Sequence, residues 1–293
     1  MWDGWASNVG TMDDFQNAGL RGLNDPVVIV AFGGWNDAGT AASSAVEHLG
    51  DSYDAELAFS IDPDDFYDFQ VNRPQVTLTG DDDRIITWPT TEIRVAQLPG
   101  GRHLILISGL EPNLRWRQFS ALLMSALRSA KAERVFMLGA LLADTPHTRP
   151  IPVSISTSDH ALSEEYGLTQ SGYEGPTGIV GVLGDALMRS GMKVLTLWAA
   201  IPHYVSHPPC PTATLALLSQ LEELLDSPLD LGELPELARA WERGVDELAS
   251  DDSEVAEYVK ALEEQQDATE LPEASGEAIA AEFERYLRRR SDG

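Results

Sequence analysis

The residues of this chain that are best suited to bind a ligand or move a proton follow short apolar runs. The first such loop contains Gly33, Gly34, Asn36 and Asp37, directly after the apolar run Val27–Phe32. Glycines let a backbone turn closely, and amides at the start of a following helix can hold an anion. A tight turn in which Asn36 or Asp37 caps the next helix explains the same residues, so both interpretations stay open.

Two further loops combine charged and titratable side chains. Glu111 follows the apolar run 104–107, and arginines come within the next turn. This glutamate either binds a polar ligand or forms an ion pair within the fold. The next loop holds Asp144, His147 and Arg149 among three prolines, which stiffen the backbone. A base, an imidazole that titrates near neutral pH and a fixed cation on one rigid loop make it a candidate site.

The remaining candidates lie on two later loops. Tyr173, Glu174 and Thr177 precede a predicted helix, and His203 and Tyr204 follow another apolar run. In open parallel sheets, ligands gather at the edge where the carboxyl ends of the strands meet. We therefore expect Tyr173, Glu174 and His203 to converge at this edge with the histidine of the proline-rich loop.

Several kinds of cofactor and metal site do not fit the sequence. The glycine loop after Phe32 lacks the lysine of a phosphate-binding P-loop and the Gly-x-Gly-x-x-Gly spacing of a dinucleotide site. His203, His207 and Cys210 are a poor zinc set, because prolines surround the cysteine and the two histidines need not share a helix. We predict no cofactor and no metal.

The charge of the chain excludes other classes of partner. The 293 residues include 47 acidic and 20 basic side chains, which gives a formal net charge of −27. Such a charge repels nucleic-acid backbones and anionic lipid headgroups, so we expect neither nucleic acid nor membrane as a partner. The sequence begins without the basic and apolar stretches of a secretory leader. Its apolar runs are far shorter than the roughly 20 residues that span a bilayer. A single cysteine cannot form a disulfide within the chain. We expect a cytoplasmic protein.

Apolar runs that alternate with amphipathic segments predict the elements that position these loops. Short β-branched runs predict buried strands, and apolar residues at helical spacing predict helices. The predicted strands are 27–32, 104–107, 135–138 and 194–198, and the predicted helices are 39–49, 114–131, 178–190 and one with Leu215, Leu218, Leu221 and Leu225 on one face. This alternation predicts the α/β class, with a mostly parallel sheet between two layers of helices, a three-layer α/β/α sandwich.

Two regions depart from this alternation. Residues 55–97 contain four short strand-like pieces, which either extend the sheet in partly antiparallel fashion or form a small subdomain. Residues Glu222 to Gly293 hold 22 acidic and 7 basic side chains, and their composition is typical of α-helices. We predict helices at 234–248, 254–264 and 277–289, with a linker at 267–276. The domain limits that we expect are 20–228 for the α/β/α body and 229–293 for an acidic helical extension.

The loop motifs resemble those of the PAC2 family, named for a proteasome assembly chaperone. The resemblance extends over residues 25–265 and is strongest to actinobacterial members. The matching stretches are Phe32-Gly-Gly-Trp-Asn-Asp-Ala-Gly39, Gly109-Leu-Glu-Pro112 with Trp116, Asp144-Thr-Pro-His-Thr-Arg-Pro150, Tyr173-Glu-Gly-Pro-Thr-Gly178 and Pro202-His-Tyr204. The resemblance implies a body similar to purine nucleoside phosphorylases, a helical C-terminal extension and homo-oligomers, of which we favour the trimer.

Two functions follow as expectations from this resemblance. The first is a protein-assembly factor similar to proteasome assembly chaperones, although the chain ends Arg290-Ser291-Asp292-Gly293 and departs from the hydrophobic–tyrosine–any-residue tail by which related factors dock. The alternative is a phosphorylase- or nucleosidase-like enzyme or binding protein. There the glycine-loop amides and Arg149 hold an anion, Glu174 or His147 moves a proton, and Tyr173 stacks on a ring; His203 is a further catalytic candidate. Whether any reaction is catalysed stays open.

Overall fold

The alternation of apolar runs and amphipathic segments folds into layers of strands and helices. The structure, a computed structural model, describes residues 9–10, 19–78, 84–168 and 173–270. The strands within these residues are β1 (Val9–Gly10), β2 (Val27–Gly33), β3 (Glu56–Ile61), β4 (Gln75–Leu78), β5 (Arg84–Thr87), β6 (Thr91–Gln97), β7 (His103–Leu110), β8 (Arg134–Ala143), β9 (Val153–Ser156) and β10 (Lys193–Pro202). The α-helices are α1 (Ala41–Ser52), α2 (Trp116–Ser129), α3 (His160–Glu165), α4 (Ile179–Arg189), α5 (Pro211–Leu225), α6 (Leu234–Asp251) and α7 (Ser253–Glu270).

Eight of these strands form the main sheet in the order β1-β3-β6-β7-β2-β8-β10-β9. The central strands β7, β2, β8 and β10 pair in parallel, with Val27 of β2 opposite Leu104 on one side and Arg134 on the other. β6 and β9 run antiparallel to their neighbours. The predicted fold class, α/β with a mostly parallel sheet, is confirmed.

Helices cover both faces of the sheet, which explains why the central strands are continuously apolar. Side chains of β2 alternate between two cores: Val27 and Ile29 pack with α1 and α5, whereas Val30 and Phe32 pack with α2 and α4. All of these side chains are fully buried. A strand that is buried on both faces has no polar positions, and the sequence pattern of β2 predicts this correctly.

Both arrangements predicted for region 55–97, an extension of the sheet and a small separate unit, occur in the structure. β3 and β6 extend the main sheet, while β4 and β5 form a separate two-stranded hairpin in which every described residue is exposed. The four predicted strand pieces correspond to these four strands. β9 and α3 were not predicted, because four and six residues are too short for a periodic pattern to be read.

The acidic extension forms two helices within the described residues. α6 and α7 match the two predicted helices but run further at their C-terminal ends. The predicted linker at 267–276 is wrong for its first four residues, which belong to α7, and the helix predicted at 277–289 lies outside the described residues. In the described part of the chain, no helix has the length and apolarity to cross a membrane.

Candidate functional site

The glycine loop joins the ends of two neighbouring strands. The amide of Glu111, just after β7, donates to the carbonyl of Gly33 at the end of β2, with 2.8 Å between N and O. Gly34 follows with a φ of +123°, a backbone conformation that residues other than glycine rarely adopt. The loop then returns at Asp37, whose amide donates to the Gly34 carbonyl over 3.1 Å. Its backbone is therefore used for turning and for joining strands.

Asn36 and Glu111 form a buried network with the start of α4. The Asn36 Nδ2 donates to Glu111 Oε1 over 2.8 Å, and the amide of Ile179 donates to the same oxygen, also over 2.8 Å. Glu111 thus places its negative charge at the positive end of a helix. Asn36 is 1 % exposed, and its Oδ1 has no hydrogen-bond partner among the described residues.

Gly178 is required by the close approach of this network. A Cβ atom built at Gly178 would lie 2.3 Å from Oδ1 of Asn36, which is nearer than real contacts allow. Thr177 and Glu174, on the loop before it, are exposed. Tyr173 is also exposed, and its hydroxyl donates to the carbonyl of Pro176.

Asp37 caps helix α1, one of the two interpretations of the glycine loop. Its Oδ1 accepts from the amides of Ala42, at 2.7 Å, and Ser43, at 3.3 Å. Burial raises the pKa of this carboxyl above its usual range, against the hydrogen bonds from Ser43 and these amides, which lower it. The capping prediction is confirmed for Asp37, whereas Asn36 bonds elsewhere.

His147 lies between a tyrosine and a carboxylate of the acidic extension. Its Nδ1 is 2.7 Å from the hydroxyl oxygen of Tyr204, and its Nε2 is 3.0 Å from Oδ1 of Asp246 in α6. Burial raises the pKa of Tyr204 to about 12, so its phenol stays protonated at neutral pH. The Asp246 carboxylate can only accept a hydrogen bond, so Nε2 carries the hydrogen of that contact. Because His147 is 3 % exposed and both ring nitrogens are engaged, it connects the proline-rich loop to α6.

His203 belongs to the same cluster but is more accessible. Its Nδ1 lies 3.2 Å from Oδ1 of Asp144, and the hydroxyl of Tyr258 in α7 donates to that same oxygen over 3.1 Å. The ring centroids of His147 and His203 lie 5.7 Å and 5.9 Å from that of Tyr204. The side chain of His203 is 44 % exposed. The two histidines therefore converge, as the sequence predicts.

Arg149 is engaged by the acidic extension rather than by the glycine loop. Its Nε and Nη2 donate to the two carboxylate oxygens of Asp267 over 3.0 Å and 2.9 Å, and Nη1 donates to Glu263 over 3.3 Å. This two-point contact lowers the pKa of Asp267. The hydroxyl of Thr148 donates to Glu263 as well.

The structure brings together only part of the predicted site. His147, His203, Tyr204, Asp144 and Arg149 lie under the two C-terminal helices. Tyr173, Glu174 and Thr177 lie on the loop that leads to α4, next to the glycine-loop network. Sequence reasoning treated the acidic extension as a separate appendage and so missed its contributions to the cluster, which are Asp246, Tyr258, Glu263 and Asp267. Within the described residues, no group of three or more histidine, cysteine, aspartate or glutamate side chains is placed to hold a metal.

Large apolar side chains stand exposed at the same sheet edge. Trp35 follows β2, Leu110 ends β7, and Leu141 and Leu142 lie near the end of β8; we call these four residues the strand-end patch. Trp35 is 68 % exposed, and the three leucines are between 41 % and 48 % exposed. The three strands are neighbours in the sheet, so these side chains lie near the same strand ends as the glycine loop.

Comparisons with known proteins agree on one family. The PAC2 family model matches residues 31–249. A PAC2 family protein from Streptomyces avermitilis has a similar solved structure, with 55 % identity and a TM-score of 0.76, over 80 % of this chain and 100 % of that chain. A proteasome-assembly chaperone homologue from Mycobacterium tuberculosis follows with 47 % identity and a TM-score of 0.74, over 80 % of this chain and 99 % of the other.

A more distant structure shares the fold alone. It is an archaeal proteasome activator from Pyrococcus furiosus, which has 17 % identity and a TM-score of 0.62, over 78 % of this chain and 94 % of that chain. No match was found among the curated protein sequences.

Proposed function

The chain belongs to the PAC2 family, and from this premise we propose that it is a protein-assembly factor that binds a partner protein through the strand-end patch. The observation that carries the proposal is a contrast at one sheet edge. Asn36, Asp37 and Glu111 form hydrogen bonds within the chain there, while large apolar side chains face water. A catalytic pocket is a concave site in which at least a few polar groups are open to a ligand.

The internal hydrogen bonds leave few polar groups for substrate chemistry. Glu111 caps α4, Asp37 caps α1, and Arg149 holds α7. His147 is buried between Tyr204 and Asp246. Each of these groups already has a hydrogen-bond partner within the chain.

The strand-end patch has the composition of a protein interface. Tryptophan is enriched at interface cores and among the residues that contribute most to binding. Trp35 lies on a loop whose backbone is fixed on both sides, because Ala140 donates to the Asn36 carbonyl over 2.8 Å and Glu111 donates to that of Gly33. A rigid apolar anchor loses little entropy on binding.

The relatives supply the class of partner. A homologue at 47 % identity is described as a proteasome-assembly chaperone homologue. We therefore infer that the partner is a subunit of a proteasome-like assembly, bound at an apolar surface that is later covered in the finished particle.

The test measures binding of the purified chain to purified actinobacterial proteasome α and β subunits. Calorimetry or interferometry is run with wild type, Trp35→Ala and the matched control Val71→Ala, whose side chain is exposed to the same degree, 68 %. We expect Trp35→Ala to weaken binding about tenfold or more, as for a central aromatic residue, and Val71→Ala to leave it unchanged.

Two results would remove this proposal. Wild type that binds neither subunit would exclude the partner class. Equal loss of affinity in Trp35→Ala and Val71→Ala would show that the strand-end patch is not the docking surface.

The phosphorylase- or nucleosidase-like alternative remains a prediction. It requires Arg149 and the glycine loop to hold one anion, whereas Arg149 contacts Asp267 and Glu263. Calorimetry with phosphate and nucleosides decides it. Millimolar binding to wild type that is lost in His147→Ala would support the alternative over the assembly function.

A further inference from the structure

A small cavity lies at the N-terminal ends of β8 and β10, next to the short helix α3. Its volume is about 120 Å³, and Arg134 of β8, Lys193 of β10 and Glu165 of α3 line it together with apolar side chains. The strand-end patch is at the other end of these strands, since seven residues of β8, about 23 Å, separate Arg134 from Leu141. The cavity is therefore separate from the surface assigned above to a partner protein.

Two cationic side chains lie side by side on this cavity. Lys193 is directly opposite Arg134 in the parallel pairing of β10 with β8. Side chains in opposite positions point to the same face of a sheet, and like charges in such positions repel each other. The chain has 20 basic residues against 47 acidic ones, so two neighbouring cations are not a consequence of its composition. An anion placed between them would remove the repulsion.

Neither cation donates a side-chain hydrogen bond within the described part of the chain. Arg134 approaches the carboxylate of Asp25, but the 3.7 Å between Nη2 and Oδ2 is longer than a hydrogen bond. That carboxylate accepts instead from Arg102, over 2.8 Å. Lys193 forms no ion pair with any described residue, and the exposed carboxylate of Glu165 pairs with neither cation. The cavity thus offers the donors of two cations to a ligand.

The rest of the cavity wall is mostly apolar. Phe136 and Leu195 follow the two cations by two residues, so they lie on the same face of the sheet. Leu162 of α3 lines the cavity as well, and all three side chains are buried. A few charged groups on an apolar surface are typical of a small-molecule site, where the charges orient the ligand and the apolar wall takes its body.

The size of the cavity limits the ligand to a few atoms. Pockets for drug-sized ligands have volumes of about 300–1,000 Å³, so a cavity of about 120 Å³ is too small for a nucleotide. The guanidinium of Arg134 presents paired N–H groups that match the two oxygens of a carboxylate, and the ammonium of Lys193 adds a second charge. A carboxylate on a short hydrocarbon chain fits both the charges and the volume.

We propose that this cavity binds a short-chain aliphatic carboxylate. The carboxylate lies between Arg134 and Lys193, and the hydrocarbon chain lies against Phe136, Leu195 and Leu162. The net charge of −27 opposes any anion, but its field is screened within about 8 Å at physiological salt, whereas the two cations contact the ligand directly. Binding leaves the strand-end patch free for a partner protein.

Ligand-detected NMR titrations with acetate, propionate and butyrate, at constant ionic strength, test the site. We expect butyrate to bind wild type, with affinity rising along the series by up to about fourfold for each methylene that is buried. Lys193→Met should weaken butyrate binding about tenfold or more, because a hydrogen bond between two charged groups is lost. Lys260→Met removes the same charge from α7 and should leave binding unchanged. Both lysines are exposed, so circular dichroism should show that both variants are folded.

Three results would overturn the proposal. The first is wild type that binds no butyrate at millimolar concentrations. The second is an equal loss of affinity in Lys193→Met and Lys260→Met, which would show a general effect of charge. The third is inorganic phosphate that binds as tightly as butyrate, with no gain from acetate to butyrate, because the apolar wall would then have no role. All titrations are made without proteasome subunits, so this proposal and the assembly function can fail independently.

Discussion

Asn36 shows how closely the residues at the strand ends are packed. Its Nδ2 must face the Glu111 carboxylate, which leaves its Oδ1 against the backbone of Gly178. The network has no room for another atom at Gly178, and a buried amide oxygen without a partner adds a free-energy cost. The two hydrogen bonds to Glu111 Oε1 are what join the ends of β2 and β7 to α4.

Gly178→Ala should therefore destabilise the fold. The added methyl group would have to displace Asn36, and overpacking of this kind costs about 1–3 kcal/mol. The free energy of unfolding, measured in urea, should fall by about that amount. Gly244→Ala is the matched control, because nothing lies within 4 Å of a Cβ there and alanine suits the middle of α6. The control should gain about 0.5–1 kcal/mol; an equal loss in both variants would contradict this explanation.

Cys210 should be inert in the folded protein. Its side chain is fully buried, and burial raises the pKa of the thiol to about 11. The thiolate is the reactive form, so a thiol reagent at pH 8 should label the chain only after denaturant is added. Because the folded pKa is raised, the unfolded chain loses this proton first. The unfolding free energy should decline as pH rises from about 9 towards 11. Stoichiometric labelling of native protein would contradict the burial.

Residue types and spacing indicated some of these roles but not others. The capping role of Asp37 could be predicted, because an aspartate before a helix is a local signal. The contact between His147 and Asp246 could not, since 99 residues separate the two in sequence. For the docking of α7, the sequence gave one signal: Val259 and Leu262 share a face, and an apolar face needs something to pack against.

At the scale of elements, α6 and α7 cover the proline-rich loop that the sequence identified as a candidate site. The strands and long helices of the body could be predicted because each has a periodic apolar pattern. How the C-terminal helices dock could not be predicted, because it depends on ion pairs between distant segments. The contacts of Arg149 with Glu263 and Asp267 of α7 are of this kind.

The docking of α7 should depend on Arg149. Arg149→Gln removes the two-point contact with Asp267 and the contact with Glu263. Backbone amides of α7 should then exchange with solvent faster, while those of β2 should keep their protection. Arg189→Gln is the control, because Arg189 pairs with Asp185 within α4. Unchanged exchange in α7 of Arg149→Gln would show that apolar contacts alone hold the helix.

Acid should loosen α7 in the same way. The pKa of Asp267 is lowered in the folded chain by its hydrogen bonds from Arg149, so its contribution to docking is present above its ordinary value of 3.8. That contribution is lost as pH falls through the lower, folded value. Exchange of α7 amides, corrected for the intrinsic rate at each pH, should rise below about pH 4 in wild type and much less in Arg149→Gln. A parallel rise in both proteins would contradict the role of this ion pair.

The whole molecule carries a charge that works against its own compact state. A net charge of −27 repels itself on folding, while ion pairs such as those of Arg149 attract. Both effects are screened by salt, so the sign of the salt effect shows which is larger. Most ion pairs here are exposed and single, and such pairs contribute about 0–1 kcal/mol each.

We therefore expect the chain to become more stable as sodium chloride rises from about 10 mM to about 150 mM, because the Debye length falls from about 30 Å to about 8 Å. The measurement is urea unfolding of wild type at two protein concentrations, so that self-association and folding are separated. Chloride is preferred to sulfate, which strengthens apolar burial by itself. If repulsion dominates, the unfolding free energy rises with salt at both protein concentrations. A fall would show that the ion pairs outweigh the net charge.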